Sequence, residues 1–199
     1  MGNTKRPHGY RLLLILLMAA MTATAFSQPA ADSTRYRNSI KTSFLSWHTG
    51  SVKLVYERAV AERRSLELTM AVIGPMSDSY NNNPKGIHAQ AAYKFIAPGA
   101  CPQPLNGFYV KPALAFSHFT YRNPKSPVRD ESNVMAVMVI GGYQLAGNRL
   151  ALDLYWGIGG AFGTECDTFY EHGFLLWDFF GTRNSNVALT SGIKIGFCF

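Results

Sequence analysis

Three acids and four lysines fall where alternating segments would bring them onto one surface. They are Glu57, Glu67 and Asp153, with Lys53, Lys94, Lys111 and Lys194, and His88 lies among them. Such a set can serve catalysis or substrate binding, or its members can neutralise one another. Most alternate with apolar neighbours: Lys53 with Val52 and Leu54, Glu67 with Leu66 and Leu68, Lys194 with Ile193 and Ile195. Glu67 and His88 share a parity and make a candidate orienting group and base. No nucleophile stands out beside His88, and a lone inward histidine is more commonly a packed, hydrogen-bonded residue. Ser117 and His118 are adjacent, so a strand would point them to opposite faces and spoil a relay. Gly157-Ile158-Gly159-Gly160 has the glycines of a phosphate cradle, but no helical pattern follows it. Cys101, Cys166 and Cys198 show no CxxC spacing and no zinc signature. Cys101 and Cys198 are the one pair expected near the same rim; three unpaired thiols is the simpler reading. The expectation is a structural charge network with no catalytic residue, no metal and no cofactor.

What must position this set is a series of strands. The chain has 199 residues, 47% hydrophobic, 13% aromatic and only 16% charged. That charge is low against the roughly one quarter usual in soluble domains. Met1 to Arg11 is basic, Leu12 to Phe26 is apolar, and Ala25-Phe26-Ser27 supplies small residues for cleavage. Residues 1–27 therefore read as a signal peptide cut between Ser27 and Gln28, and 28–38 as a short periplasmic tail. Removing Lys5, Arg6 and Arg11 with the leader leaves 16 bases against 12 acids, a net charge of +4. The remaining bases are scattered, which argues against nucleic acid as a partner. After the leader no apolar run approaches the ~20 residues of a membrane helix.

Residues 39–199 divide into eight strand candidates: Ile40–Ser46, Ser51–Arg58, Leu66–Ile73, Ile87–Phe95, Phe108–Phe119, Val134–Leu145, Leu150–Phe162 and Val187–Phe199. In the last, Ile193, Ile195, Phe197 and Phe199 hold one parity, while Gly192, Lys194 and Gly196 hold the other. Apolar on one face and small or polar on the other fits a barrel with lipid outside and a polar lumen. The fold expected is all-β, an eight-stranded antiparallel up-and-down transmembrane β-barrel whose lumen is filled by side chains. Long external connections are expected at Gly74–Gly86, Tyr121–Ser132 and Gly163–Asn184, and short periplasmic ones at Ala59–Arg64 and Ala146–Arg149. Ile96–Gly107 is longer than that rule prefers. Pro112 falls inside a strand, and because a closed barrel has no edge, a bulge is expected there.

The connection Gly163–Asn184 is unusually apolar. Phe169, Tyr170, Phe174, Trp177, Phe179 and Phe180 form either a strand extension beyond the membrane with an aromatic belt at the interface or an external apolar loop that binds a partner or a lipid. The terminal strand, ending on Phe199, resembles the sorting strand by which outer-membrane barrels address the barrel assembly machinery. Lipid, that machinery and an extracellular partner are the expected associates.

Ile40-Lys41-Thr42, Gly50-Ser51-Val52, Tyr56-Glu57-Arg58 and Arg64-Ser65-Leu66 resemble a group of small outer-membrane barrels from gut and oral anaerobes. That group is catalogued as a domain of unknown function. The resemblance implies an envelope location and a barrel, and it transfers no catalytic residues. A non-enzymatic outer-membrane protein with a structural or surface-interaction role is the leading expectation. Its rivals are an outer-membrane lipid hydrolase or acyltransferase, and a soluble, secreted lipocalin-like barrel with its faces inverted.

Overall fold

Period-two alternation becomes strand wherever it is expected, and the strands close on themselves. The computed structural model describes residues 36–43, 51–75, 83–98, 104–122, 128–147, 149–163, 173–177 and 185–199. The strands are β1 (Asn38–Ser43), β2 (Ser51–Ala61), β3 (Arg64–Ile73), β4 (Lys85–Ile96), β5 (Gly107–Arg122), β6 (Arg129–Gly147), β7 (Leu150–Gly163), β8 (Leu175–Trp177) and β9 (Ser185–Cys198). Neighbours pair antiparallel in the order β1 to β7 and then β9, and β9 returns to β1. The result is a closed eight-stranded antiparallel barrel with one extra strand, β8, and no helix among the described residues. Closure is completed at the chain terminus, where Asn38 and Phe199 exchange backbone hydrogen bonds of 3.0 and 2.9 Å. The expected leader lies outside the described residues.

Among the described residues the short strand β1 pairs with the lower part of β9, from Ser39 opposite Cys198 to Ser43 opposite Lys194. Higher up, β8 takes over that edge of β9, with Leu175 opposite Leu189 and Trp177 opposite Val187. Part of the connection Gly163–Asn184, for which a strand extension is one of the two expectations, thus supplies backbone partners to the terminal strand. Periodicity over three residues is too short to be read from a sequence.

The connections depart from expectation in two places. Tyr121 and Arg122 pair with Asp130 and Arg129, so the strands of the β5–β6 hairpin run through much of what reads as loop. Arg129 ties its edge by donating from Nη2 to the Thr120 carbonyl at 2.9 Å and the Asn83 carbonyl at 2.6 Å. In the turn after β4, Leu105 is buried with Ala59, Ala146, Ala151 and Cys198, and the half-buried Tyr36 packs against this group. Cys198 is a free, buried thiol, and Cys101 lies outside the described residues.

No bulge forms at Pro112. It sits in unbroken register opposite Val139 of β6. Towards β4 the pairing stops at Ala92–Ala113 and resumes at Phe95–Val110 without slipping. The missing amide is accommodated by opening the ladder for two residues on one side. The register irregularity found in this sheet is instead between Ala59 and Ala61. Because the ladder at Pro112 is already open, Pro112→Ala is expected to change stability by less than about 1 kcal/mol, measured by urea unfolding.

The buried charge network as candidate functional site

Alternation on a closed barrel sends one parity inward. Lys53, Glu57, Glu67, His88, Lys94, Lys111, Asp153 and Lys194 are all buried, as expected from the sequence. Thr190 is buried too, whereas Gln90 and Tyr155 are half-buried. An eight-stranded barrel has a lumen that side chains can just fill, and here ionised groups fill its middle. Register decides which of them meet. Lys194 of β9 lies opposite Asp153 of β7, and Glu57 of β2 lies opposite Glu67 of β3. Two carboxylates placed side by side would repel unless cations stood over both.

Those cations are Lys41 and Lys94. Lys41, on the inward parity of β1, is 1% exposed. Its Nζ lies 2.6 Å from Glu57 Oε2, 3.1 Å from Asp153 Oδ2 and 3.5 Å from Glu67 Oε2. Lys94 reaches the same carboxylates, Glu57 at 2.9 Å, Glu67 at 3.4 Å and Asp153 at 3.6 Å. Lys111 and Lys194 converge on Glu67 Oε1 at 2.5 and 2.7 Å. Neutral groups complete the set. Gln144 Oε1 accepts from Lys94 at 2.6 Å and Lys41 at 3.1 Å, the Tyr109 hydroxyl donates to Asp153 at 2.6 Å, and Ser65 donates to Glu57 at 2.5 Å. The Tyr109 and Tyr155 rings lie 4.1 and 4.5 Å from the ammonium groups of Lys94 and Lys194. Lone buried ions would cost several kcal/mol each, and this mutual arrangement offsets that.

Lys41, Gln144, Tyr109 and Ser65 are network members that the sequence reading missed. Lys41 had a signal, since Ser39, Lys41 and Ser43 share a parity against Ile40 and Thr42. The segment was too short for that signal to weigh.

His88 corrects a second expectation. Its Nδ1 is 2.8 Å from Ser117 Oγ, directly across the β4–β5 ladder, while Glu67 is held by lysines. Ser117, adjacent to His118 in sequence, is thus the partner of a different histidine. His118 turns outward and lies 2.8 Å from Asn133 Oδ1.

Above the ions the lumen becomes apolar. Ala113, Ala115, Ala136, Met138, Ala161 and Ala188 line it, and Phe174 and Leu176 are buried against them. Phe174 was expected in an external apolar loop. Instead it points into the barrel, with its ring edge-on to His88 at 5.9 Å, and the β8 that follows it pairs with β9. Lys53 Nζ donates to the Gly173 carbonyl. Trp177 lies in β8, and Phe169, Tyr170, Phe179 and Phe180 lie outside the described residues.

No protein-family model, curated protein or solved structure matches this chain. Its function has to be argued from its own geometry. Among the described residues no three histidine, cysteine or acidic side chains are placed to hold a metal.

The outward face completes the picture. Ile195, Phe197 and Phe199 of the terminal segment are exposed and Ile193 is half-buried. Phe108, Val110, Leu114 and Phe116 on β5 and Met135, Val137 and Val139 on β6 are exposed as well. On β5 this apolar row gives way to His118, and on β6 to Asn133 and then Glu131. Eight strand steps from Phe108 to Phe116, at about 3.4 Å each and a tilt near 40°, span roughly 21 Å along the barrel axis. Outer-membrane barrels carry an apolar band of about 25 Å.

Proposed function

We propose that this chain is an outer-membrane β-barrel that works without catalysis, as a structural or surface-interacting component of a bacterial envelope. The observation that carries this reading is the sidedness of the wall: charged groups inside, an apolar band of membrane height outside. A soluble lipocalin-like barrel needs the reverse. Yet Leu66, Leu68, Leu154 and Ile195 are exposed here, while Lys53, Glu67, Lys94, Lys111 and Lys194 are buried. The basic and apolar leader, residues 1–27, supplies the export route. The terminal strand with Phe197 and Phe199 is the segment offered to the barrel assembly machinery. The resemblance to small barrels of gut and oral anaerobes agrees with this location. The lumen, crossed by ions that bind one another, is a closed plug rather than a pore.

Heat modifiability tests the reading. The protein folded in detergent and run unboiled in SDS is expected to migrate at a different apparent mass from the boiled sample, and to require detergent for extraction. A protein that stays soluble without detergent and shows no shift would overturn the membrane assignment.

One observation favours a second reading, an outer-membrane lipid hydrolase. Ser117 and His88 stand at hydrogen-bond distance, as an acyl-transferring pair would. Both are sealed under Phe174 and surrounded by the lumen wall. Labelling of the protein, and not of Ser117→Ala, by a fluorophosphonate would establish that reading against the first.

A further inference from the structure

We propose that the alanine-lined chamber above the ion network is a binding site for a single-chain anionic amphiphile of fatty-acid type. In this structure the protein's own residues 173–177 occupy that site.

The barrel wall does not fill this chamber itself. Six inward positions of this cluster, on five strands, are alanine: Ala92, Ala113, Ala115, Ala136, Ala161 and Ala188, beside the larger Val134, Met138 and Ile140. The volume that larger side chains would have taken is occupied by Phe174 and Leu176, which enter from a connection. Interiors are packed densely, so a wall of such small residues presupposes an apolar filler. Among the described residues the strand β8 meets β9 over three residues, whereas β7 pairs with β9 from Leu150 to Phe162.

The polar end of the site matches an acid. Lys53 is buried where the chamber meets the ions, and the acceptor the structure gives it is the uncharged Gly173 carbonyl. Counting the described lumen, five buried lysines (Lys41, Lys53, Lys94, Lys111 and Lys194) face three buried carboxylates (Glu57, Glu67 and Asp153). An anion at Lys53 would supply charge that a carbonyl cannot, and charge-assisted hydrogen bonds are roughly twice as strong as neutral ones. Phe174 and Leu176 thus stand where an acyl tail would lie, and the Gly173 carbonyl where its carboxylate would sit. The ligand would take the place of both, and its apolar burial would offset the loss of theirs.

This inference takes the lipid-facing reading as its frame, and one assay separates the two. The protein is placed in nanodiscs of zwitterionic phosphatidylcholine and titrated with brominated dodecanoic acid, which quenches nearby tryptophan. The Trp177→Phe variant separates the contribution of that residue from those of the other two tryptophans. A saturable quenching component that unlabelled dodecanoate displaces is expected. Dodecanol should compete at least tenfold more weakly than dodecanoate. Lys53→Met should abolish that preference, and Ala136→Phe, which fills the chamber without adding a fluorophore, should remove the saturable component. The wild-type comparison of acid with alcohol needs no variant, so misfolding of a substitution cannot hide the answer. Absence of a saturable component, or equal competition by acid and alcohol, would overturn the site. Should the protein refuse nanodiscs and remain soluble, the membrane reading fails alone. The same titration in buffer then decides the site.

Discussion

Replacing Glu67 with alanine is expected to destabilise the barrel by about 3–5 kcal/mol, the range for removing one partner of a buried ion pair. The expectation is at the upper end because Glu67 lies within ion-pair distance of four lysines, Lys41, Lys94, Lys111 and Lys194, at 2.5 to 3.5 Å. Its loss leaves Lys111 without the carboxylate that it contacts, at a position fully inside the wall. Reversible urea unfolding in lipid vesicles, followed by tryptophan fluorescence, would measure it. The companion experiment separates charge from volume. Combining Glu67→Leu with Lys111→Met removes an acid and a base together, so it should cost much less than Glu67→Ala alone. A double variant as unstable as the single one would show that the network is held by packing rather than by charge.

Val139→Arg should produce the second large effect, and it distinguishes lipid from water outside. Val139 is more than half exposed and lies opposite both Pro112 and Ile158. It also sits midway along the apolar row from Met135 to Tyr143. Arginine facing the middle of a bilayer costs about 2–4 kcal/mol in an outer-membrane barrel. On a water-facing surface the same change would stay within about 0.5 kcal/mol. Thr120→Arg, above the apolar row and opposite Glu131 of β6, is the control and should cost much less than Val139→Arg. If Val139→Arg is equally silent, the outer face is not in lipid.

What the order of amino acids reveals by itself is set by whether the physics is local. Inward placement of Glu57, Glu67, Lys94, Lys111, Asp153 and Lys194 follows from a period of two, which each strand carries by itself. Their partners do not follow from it. That Lys111 meets Glu67, two strands away, depends on register and on curvature around the ring, and neither is written in either segment. Lys41 shows a finer limit, because the six residues of β1 are too few for a pattern to outweigh noise. Phe174 marks the outer limit. Its burial depends on a chain reversal inside the barrel, and an aromatic residue in a connection reads the same whether it faces water, lipid or lumen. The error at Pro112 is of another kind. The local rule is right that an amide is missed, but a ladder can lose two pairs without shifting register.

The divided edge of β9 also bears on how the ring is completed. Joining β1 to β9 brings together residues 161 apart, Asn38 and Phe199, whereas β8 meets β9 between Leu175 and Leu189. Loop-closure entropy grows with the logarithm of the intervening length, so the nearer contact costs about 2 kcal/mol less. The upper part of the last strand can therefore be sheathed early by its own sequence neighbour. Among the described residues, the distant β1 meets the lower part, from Lys194 to Cys198. There the step that seals the cylinder is a zipper of five residue pairs. Late in folding, the unpaired edge that could recruit another chain is reduced by the same measure.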